Sequence, residues 1–219
     1  CIALKAQVCG IQFAVYCAGC NKITRLPQPF NDAQNKKAHL LFNKSYNNTY
    51  MTTTPTAVPE EYVVLVNKKG KILGTEEKMA AHQKGLLHKA FSVFIFNSKG
   101  QMLLQQRAFT KYHFGGLWSN SCCSHPRLDE ADDDAAHRRL QEELGFDTPL
   151  KEVFRFIYRA QDEATQLIEH ELDAVFVGIY DGDTTQFNPD EVNAVRWISI
   201  PELFKELNDN PQQFTYWFK

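Results

Sequence analysis

From residue 61 onward, short apolar runs alternate with polar breaks. Tyr62-Val63-Val64-Leu65-Val66, the break Asn67-Lys68-Lys69-Gly70, and Lys71-Ile72-Leu73-Gly74 predict strand, turn and strand. Glu76 to His82 predicts a short helical turn. Phe91 to Phe96 is β-rich, Asn97-Ser98-Lys99-Gly100 predicts a hairpin turn, and Gln101 to Gln106 returns as a strand. Gly115-Gly116 breaks the chain before Leu117-Trp118. Glu130 to Leu144 is the clearest helix: Ala131, Ala135 and Ala136 favour it, acids from Asp129 to Asp134 complement its positive end, and Gly145 ends it. Val153 to Ala160, Leu167 to Tyr180 and Val195 to Ile200 predict three further strands. Pro201 then opens a helix through Leu207 in the favoured first position. Many strands with few, unevenly placed helices predict an α+β sandwich rather than a doubly wound sheet.

The first fifty residues read differently. They hold six basic residues against the single acid Asp32, and the first methionine is Met51. A signal-peptide apolar region over Ile2 to Cys20 and an organelle transit peptide both compete here with translated upstream sequence. The last reading is preferred: residues 1–50 are expected to be a disordered, dispensable leader, residues 51–60 a Thr/Pro linker, and residues 61–219 the working domain. Cys17-Ala18-Gly19-Cys20 has the form of a redox or zinc half-site, but no second pair accompanies it.

Composition narrows the function. In a chain of 219 residues, a net charge of -2 argues against a nucleic-acid footprint, and no apolar run is long enough to span a bilayer. Phosphate recognition must therefore be local. Cys122 and Cys123 are adjacent and have no other partner in the main body, which predicts free thiols in a reducing compartment, the cytoplasm. Monomer is the default expectation.

The chemistry gathers on the clearest helix. Ser124-x5-Glu130-x7-Arg138-Arg139-Leu140-x-Glu142-Glu143-x-Gly145-Phe146 resembles the Nudix box. Carboxylates on a helix beside a loop make an oxygen-rich Mg²⁺ site, and Mg²⁺ is usually shared with substrate phosphates. Carboxylates alone are more often a solvated helix face; the full spacing reverses that preference. Two positions depart from the box. Ser124 replaces its first Gly, and Arg139 replaces the Glu that hydrolases carry after the Arg. That change weakens a hydrolytic metal cluster and adds a phosphate-binding cation.

If Ser121 to Pro126 is extended, Cys123 and His125 share a side, as Glu169 and Glu171 do across His170. With His82 and His88, these could form a mixed N/O site for Zn²⁺ or Mn²⁺. Spacing alone does not establish it, because a histidine beside a strand is usually a core residue and paired glutamates on a strand often face solvent. His113, His137 and His170 are left at that ordinary reading.

Three motifs are more specific together. Lys84 to Phe94, Cys122-Cys123-Ser124-His125-Pro126 and Glu169-His170-Glu171 are similar to the type 1 isopentenyl-diphosphate isomerases, from about Glu61 to Lys219. The resemblance implies a Nudix-type α/β/α sandwich of mixed sheet with a catalytic loop-helix, its core at about 86–219. It implies interconversion of isopentenyl and dimethylallyl diphosphate through a tertiary carbocation. Cys123 would work on one face of the substrate, and Glu171 with Tyr158 on the other. His82, His88, His125, Glu169 and Glu171 would hold Mn²⁺ or Zn²⁺, and a Mg²⁺ would bridge the diphosphate to Glu143 and the Cys123 carbonyl. Lys78, Arg107, Lys111, Arg139 and Ser124 would bind the diphosphate, and the π face of Trp217 would steady the cation. Cys122 is expected to be buried away from the site. Family members usually continue into a further helix where this sequence ends, two residues past Trp217, which predicts a loosely held Trp217.

Two rivals remain. A Nudix pyrophosphohydrolase is disfavoured by Arg139 and by the Cys123/His125 pair. A non-catalytic zinc module is disfavoured by the mixed His/Glu set, since structural zinc prefers closed Cys/His tetrads.

Overall fold

The computed structural model describes residues 61–218 apart from residue 112, together with the backbone of three short strands near the start. These strands, β1 (Ile2–Ala3), β2 (Ala14–Cys17) and β3 (Lys22–Arg25), pair antiparallel in that order as a sheet of their own. The rest of the predicted leader and linker lies outside the described residues, and with it the expectation that this stretch is disordered and dispensable.

The alternation from residue 61 onward folds into nine strands of one mixed sheet, numbered β4 to β12, and three helices. The first hairpin is β4 (Tyr62–Val66) and β5 (Ile72–Glu77), followed by α1 (Lys78–Lys84). The sequence predicts a helical turn from Glu76, whereas β5 runs on to Glu77. The Glu77 carboxylate then accepts from the Met79 and Ala80 N–H groups, so it caps the helix instead of entering it. Next come β6 (His88–Phe96), β7 (Gln101–Arg107), β8 (Trp118–Ser119) and β9 (Cys122–Ser124). The long helix α2 (Asp132–Leu144) starts later than predicted, because the Glu130 side chain folds back to accept from the Arg127 N–H and the Arg138 guanidinium. β10 (Leu150–Gln161), β11 (Ile168–Ile179), β12 (Val192–Ser199) and α3 (Ile200–Asp209) complete the order. α3 opens with a capping box between Ser199 and Glu202.

β6 is the hub. One edge pairs in parallel with β11, from His88 opposite Glu171 to Phe96 opposite Ile179. The other edge is shared among β4 at His88, β9 at Phe91–Val93 and β7 at Phe96. Such a strand is covered on both faces, which accounts for its nearly unbroken apolar run.

On one face, Ala135, Ala136, Leu140 and Leu144 of α2 pack on Phe91, Val93, Ile95, Cys122 and Phe176. On the other, Phe94, Phe96, Val175 and Val177 meet Leu203 of α3 and the C-terminal Phe214, Trp217 and Phe218. Each fully buried Leu or Phe contributes roughly 2–3 kcal/mol of transfer free energy, so these two clusters fix the layers. β9 pairs between them and sends Cys122 and Cys123 to opposite faces. Gly145 ends α2 at φ 74°. A Cβ there would lie 2.4 Å from the Gln186 carbonyl oxygen, so glycine lets the β11–β12 loop lie against the helix end.

Candidate active site and metal centre

A cavity partly open to solvent lies where the mouths of β6, β9, β10 and β11 face the end of α2. Its wall includes Cys123, Ser124, His125, Tyr158, Glu169, Glu171, Glu143 and Trp217, with four cations: Lys78, Arg107, Lys111 and Arg139. His82 and His88 lie beneath the wall, each fully buried. All fourteen residues singled out from the sequence therefore meet in one place.

The histidines form the deepest layer. One ligand atom from each of His82, His88, His125, Glu169 and Glu171 lies within 4.8 Å of the others. The His82 Nδ1 contacts the Lys78 carbonyl at 2.6 Å and the His88 Nδ1 the Leu86 carbonyl at 2.8 Å, which turns both Nε2 atoms inward. The His88 Nε2 is buried without a hydrogen bond; the nearest acidic oxygen, on Glu171, is 3.6 Å away. An orphaned imidazole nitrogen is costly to bury. Three nitrogens and two carboxylates brought this close together could hold a divalent cation.

The electrostatics follow from this crowding. Burial pushes the Glu171 carboxyl up, but the hydrogen bond from His125 at 3.0 Å and the nearby His88 ring outweigh it and hold the group well below the usual carboxylate range. Glu169 is also lowered, because hydrogen bonds from His113 and His82 overcome burial and the repulsion of Glu171. Burial depresses His125 to about 4. The Tyr158 hydroxyl donates to Glu171 at 2.5 Å, and burial beside that carboxylate raises its pKa far above the ordinary value.

The thiol sits across β6 from this cluster. Burial, then the Asp173 carboxyl, push Cys123 up to about 12, so its sulfur carries a proton at neutral pH. The Cys123 Sγ donates to Asn120 Oδ1 at 2.8 Å, and Ser92 Oγ lies 3.6 Å from it. Asn120 Oδ1 also accepts from Ser119 Oγ, which in turn accepts from the Trp217 indole N–H at 2.9 Å. Trp217 is thus firmly held, 9% exposed and with Phe114 edge-on at 5.2 Å, contrary to the loose tryptophan expected from the chain end. The indole packs against β10 and donates to Ser119. Cys122 is buried under α2, as expected.

Three of the four cations are paired with carboxylates. Lys78 pairs with Glu61, and Lys111 pairs with Glu191. Arg139 reaches Glu142 at 2.8 Å, Glu143 at 2.7 Å and Glu191 at 3.2 Å. The Arg107 guanidinium lies 5.6 Å from the Trp217 ring. The Nε atoms of Arg107 and Arg139 are buried without partners, so unspent donors remain on the cationic wall.

Comparison with known proteins decides the family. The NUDIX domain matches over residues 86–218. Isopentenyl-diphosphate Delta-isomerase 2 of Photorhabdus laumondii is 51% identical over 160 residues, covering 73% of this chain and 89% of that protein. The isomerase of Burkholderia multivorans is 52% identical over the same shares, and that of Serratia proteamaculans 49% identical over 73% of this chain and 88% of its own length. The chain belongs to the isopentenyl-diphosphate Delta-isomerase family of Nudix proteins. A crystal structure of a Deinococcus radiodurans protein superposes with a TM-score of 0.57 at 19% identity, covering 68% of this chain and 90% of that one, which bears out the Nudix fold. Within this isomerase family framework, the structure adds residues that sequence reasoning left aside. His113 bonds Glu169 at 2.6 Å, Asn120 holds the thiol, Gln105 bonds Glu143 at 3.1 Å, and Glu191 pairs with two of the cations. None carries a local motif, so only the fold could bring them forward. His137 pairs with Asp147 on the surface, and His170 contacts the Gly85 carbonyl away from the site.

Proposed function

We propose that this protein interconverts isopentenyl diphosphate and dimethylallyl diphosphate. The observation that carries the reading is one cavity lined by the Cys123 thiol, the phenol-bonded Glu171 carboxylate and four cations. An alkene isomerisation of this kind adds a proton to the terminal carbon and removes one from the carbon nearer the diphosphate, through a tertiary carbocation. Such chemistry needs one group with a proton and one without, and reversal exchanges their states. Cys123 with its proton and Glu171 without one are such a complementary pair.

Each remaining residue takes a part. Tyr158 holds the Glu171 oxygen by its short hydrogen bond and can pass on a proton. Trp217, fixed through Ser119, lines the cavity, where its ring would attract a transient cation. Lys78, Arg107, Lys111 and Arg139 bind the diphosphate, with Ser124 beside them. A divalent ion on the His82, His88, His125, Glu169 and Glu171 set would polarise Glu171, and a Mg²⁺ on Glu143 and the Cys123 carbonyl would neutralise phosphate charge. The same proposal includes a small-molecule substrate with neither nucleic acid nor membrane, a monomeric state and the cytoplasm. The net charge is -2, and no helix among the described residues is long and apolar enough to cross a membrane.

The test is incubation of the metal-loaded protein with isopentenyl diphosphate and Mg²⁺, reading the acid-labile allylic product. No product from intact protein overturns the reading. Phosphate release in its place would assign a hydrolase.

A further inference from the structure

His113 lies on the loop between β7 and β8 and belongs to no motif. Yet it is 7% exposed, and its Nε2 donates to Glu169 Oε1 at 2.6 Å. The other oxygen of that carboxylate, Oε2, lies 2.9 Å from the His82 Nε2, inside the cluster of ligand atoms. The two contacts divide Glu169 cleanly. One oxygen is bonded to His113, and the other faces the His82 Nε2 of the His/Glu set. The His113 ring centroid stands 6.0 Å from that of His82, and the ring is outside the set whose donor atoms converge within 4.8 Å.

We infer that His113 is a positioning residue for the metal centre, fixing Glu169 as a one-oxygen ligand. The inference rests on the proposed His/Glu metal site. Its physical basis is geometric. A free carboxylate rotates about its terminal torsion over a broad, roughly two-fold well. A buried donor on one oxygen removes that freedom before the ion arrives, so less ordering remains to be done on binding. Such partners of metal ligands typically contribute 10- to 100-fold in metal affinity.

The same loop gives the contact a second consequence. His113 is flanked by Phe114, whose ring stands perpendicular to Trp217, and lies two residues after Lys111 of the cationic wall. Phe114 holds a left-handed φ of 53°, a conformation that costs a non-glycine residue roughly 1–2 kcal/mol. The strained residue and the buried bond to Glu169 sit side by side, so the bond helps to hold the loop that orients the indole.

The experiment measures Mn²⁺ binding by the full chain, in competition with a chelator, for wild type, His113→Leu, His113→Ala and His113→Gln. Leu and Ala remove the donor; the Gln amide can still reach Glu169. We expect 10- to 100-fold weaker binding for Leu and Ala, and a value within about three-fold of wild type for Gln. The Mn²⁺ spin-resonance spectrum should broaden in the first two, since Glu169 then samples several geometries. Wild-type affinity in Leu and Ala overturns the inference alone. Equal loss in all three, Gln included, also overturns it, making His113 a ligand or a packing residue. A wild-type chain that takes up no Mn²⁺ or Zn²⁺ sinks the metal site itself, and the inference with it.

Discussion

Asn120 is fully buried, and all of its side-chain hydrogen-bonding groups are engaged. Its amide donates to the Val93 carbonyl at 3.1 Å and the Cys122 carbonyl at 2.9 Å. Its oxygen accepts from Ser119 Oγ at 2.9 Å and from Cys123 Sγ at 2.8 Å. Two carbonyls on one side and a hydroxyl and a thiol on the other also settle which end is the amide. Substituting Asn120→Ala deletes three strong hydrogen bonds and one thiol bond. At a net ~1 kcal/mol for each of the three, plus the cost of carbonyls left without a partner, the loss is about 3–5 kcal/mol. That is a large part of a typical 5–15 kcal/mol stability. At about 3 °C per kcal/mol for a domain of this size, the melting point should fall by roughly 9–15 °C.

Activity should fall separately. Without the Asn120 oxygen, the Cys123 thiol keeps only the 3.6 Å Ser92 contact, and Ser119 loses the acceptor that orients it toward Trp217. We expect a fall in kcat of at least about ten-fold at a temperature where the variant is still folded, with little change in KM, since no phosphate contact is touched. Urea unfolding gives the stability and steady-state turnover the rate. A loss under about 1 kcal/mol with unchanged kcat would falsify the view that this amide organises the thiol wall.

Further substitutions follow from the same geometry. Cys123→Ala should abolish isomerisation, whereas Cys122→Ala should cost only about 1 kcal/mol of packing and keep its rate; the reverse pattern would exchange their roles. Glu191→Gln removes the carboxylate paired with Lys111 and one of the three around Arg139, so inorganic pyrophosphate should bind roughly three- to ten-fold tighter by calorimetry at low salt, with the gain shrinking as salt rises; equal or weaker binding counts against Glu191 as a competitor of the diphosphate. The Arg138 guanidinium holds the Glu130 carboxyl below its usual range. Because the folded pKa is depressed, that pair stabilises the protein above pH 4.5 and is lost as pH falls through the lower folded value. Arg138→Met should therefore cost about 1 kcal/mol near neutrality, with the cost shrinking as pH falls through the lowered folded value, as read by urea unfolding across pH. A constant difference would mean that the pair is not responsible.

The strands and the long helix were legible in the sequence because each rests on local order, whereas the candidate ligand residues rested on the family resemblance. Alternation marks β4, β7 and β11, and alanines with a terminal glycine mark α2. The pairs Cys123/His125 and Glu169/Glu171 share a side because strands repeat every two residues. What escaped was set by distance along the chain. His113 and Glu169 are separated by 56 positions, Gln105 and Glu143 by 38, and Lys111 and Glu191 by 80. No periodicity relates such positions. The early end of the predicted strand at Gly74 had a different cause, since Thr75-Glu76-Glu77 reads equally as helix start, and the pairing of Tyr62 with Glu77 decided it.

The helix itself explains why this site suits a diphosphate better than an attacking water. Its acids do not all face the cavity. Glu130 is turned to Arg138, and Glu142, 39% exposed at its side chain, is shared between Arg138 and Arg139. On the wall the helix presents one carboxylate, Glu143, and one guanidinium, Arg139, in contact at 2.7 Å. A glutamate at position 139 would add a further acid beside Glu143 and draw more than one cation there, the arrangement that activates a hydrolytic water. Arg139 reverses that charge. It leaves Glu143 able to share one Mg²⁺ with a phosphate and supplies a planar donor set for the phosphate itself. Bond cleavage loses its metal cluster while the grip on the diphosphate is kept. In the proposed reading the five-carbon end would lie against Cys123 and Glu171, which can move a proton, and Trp217, which would steady the cation.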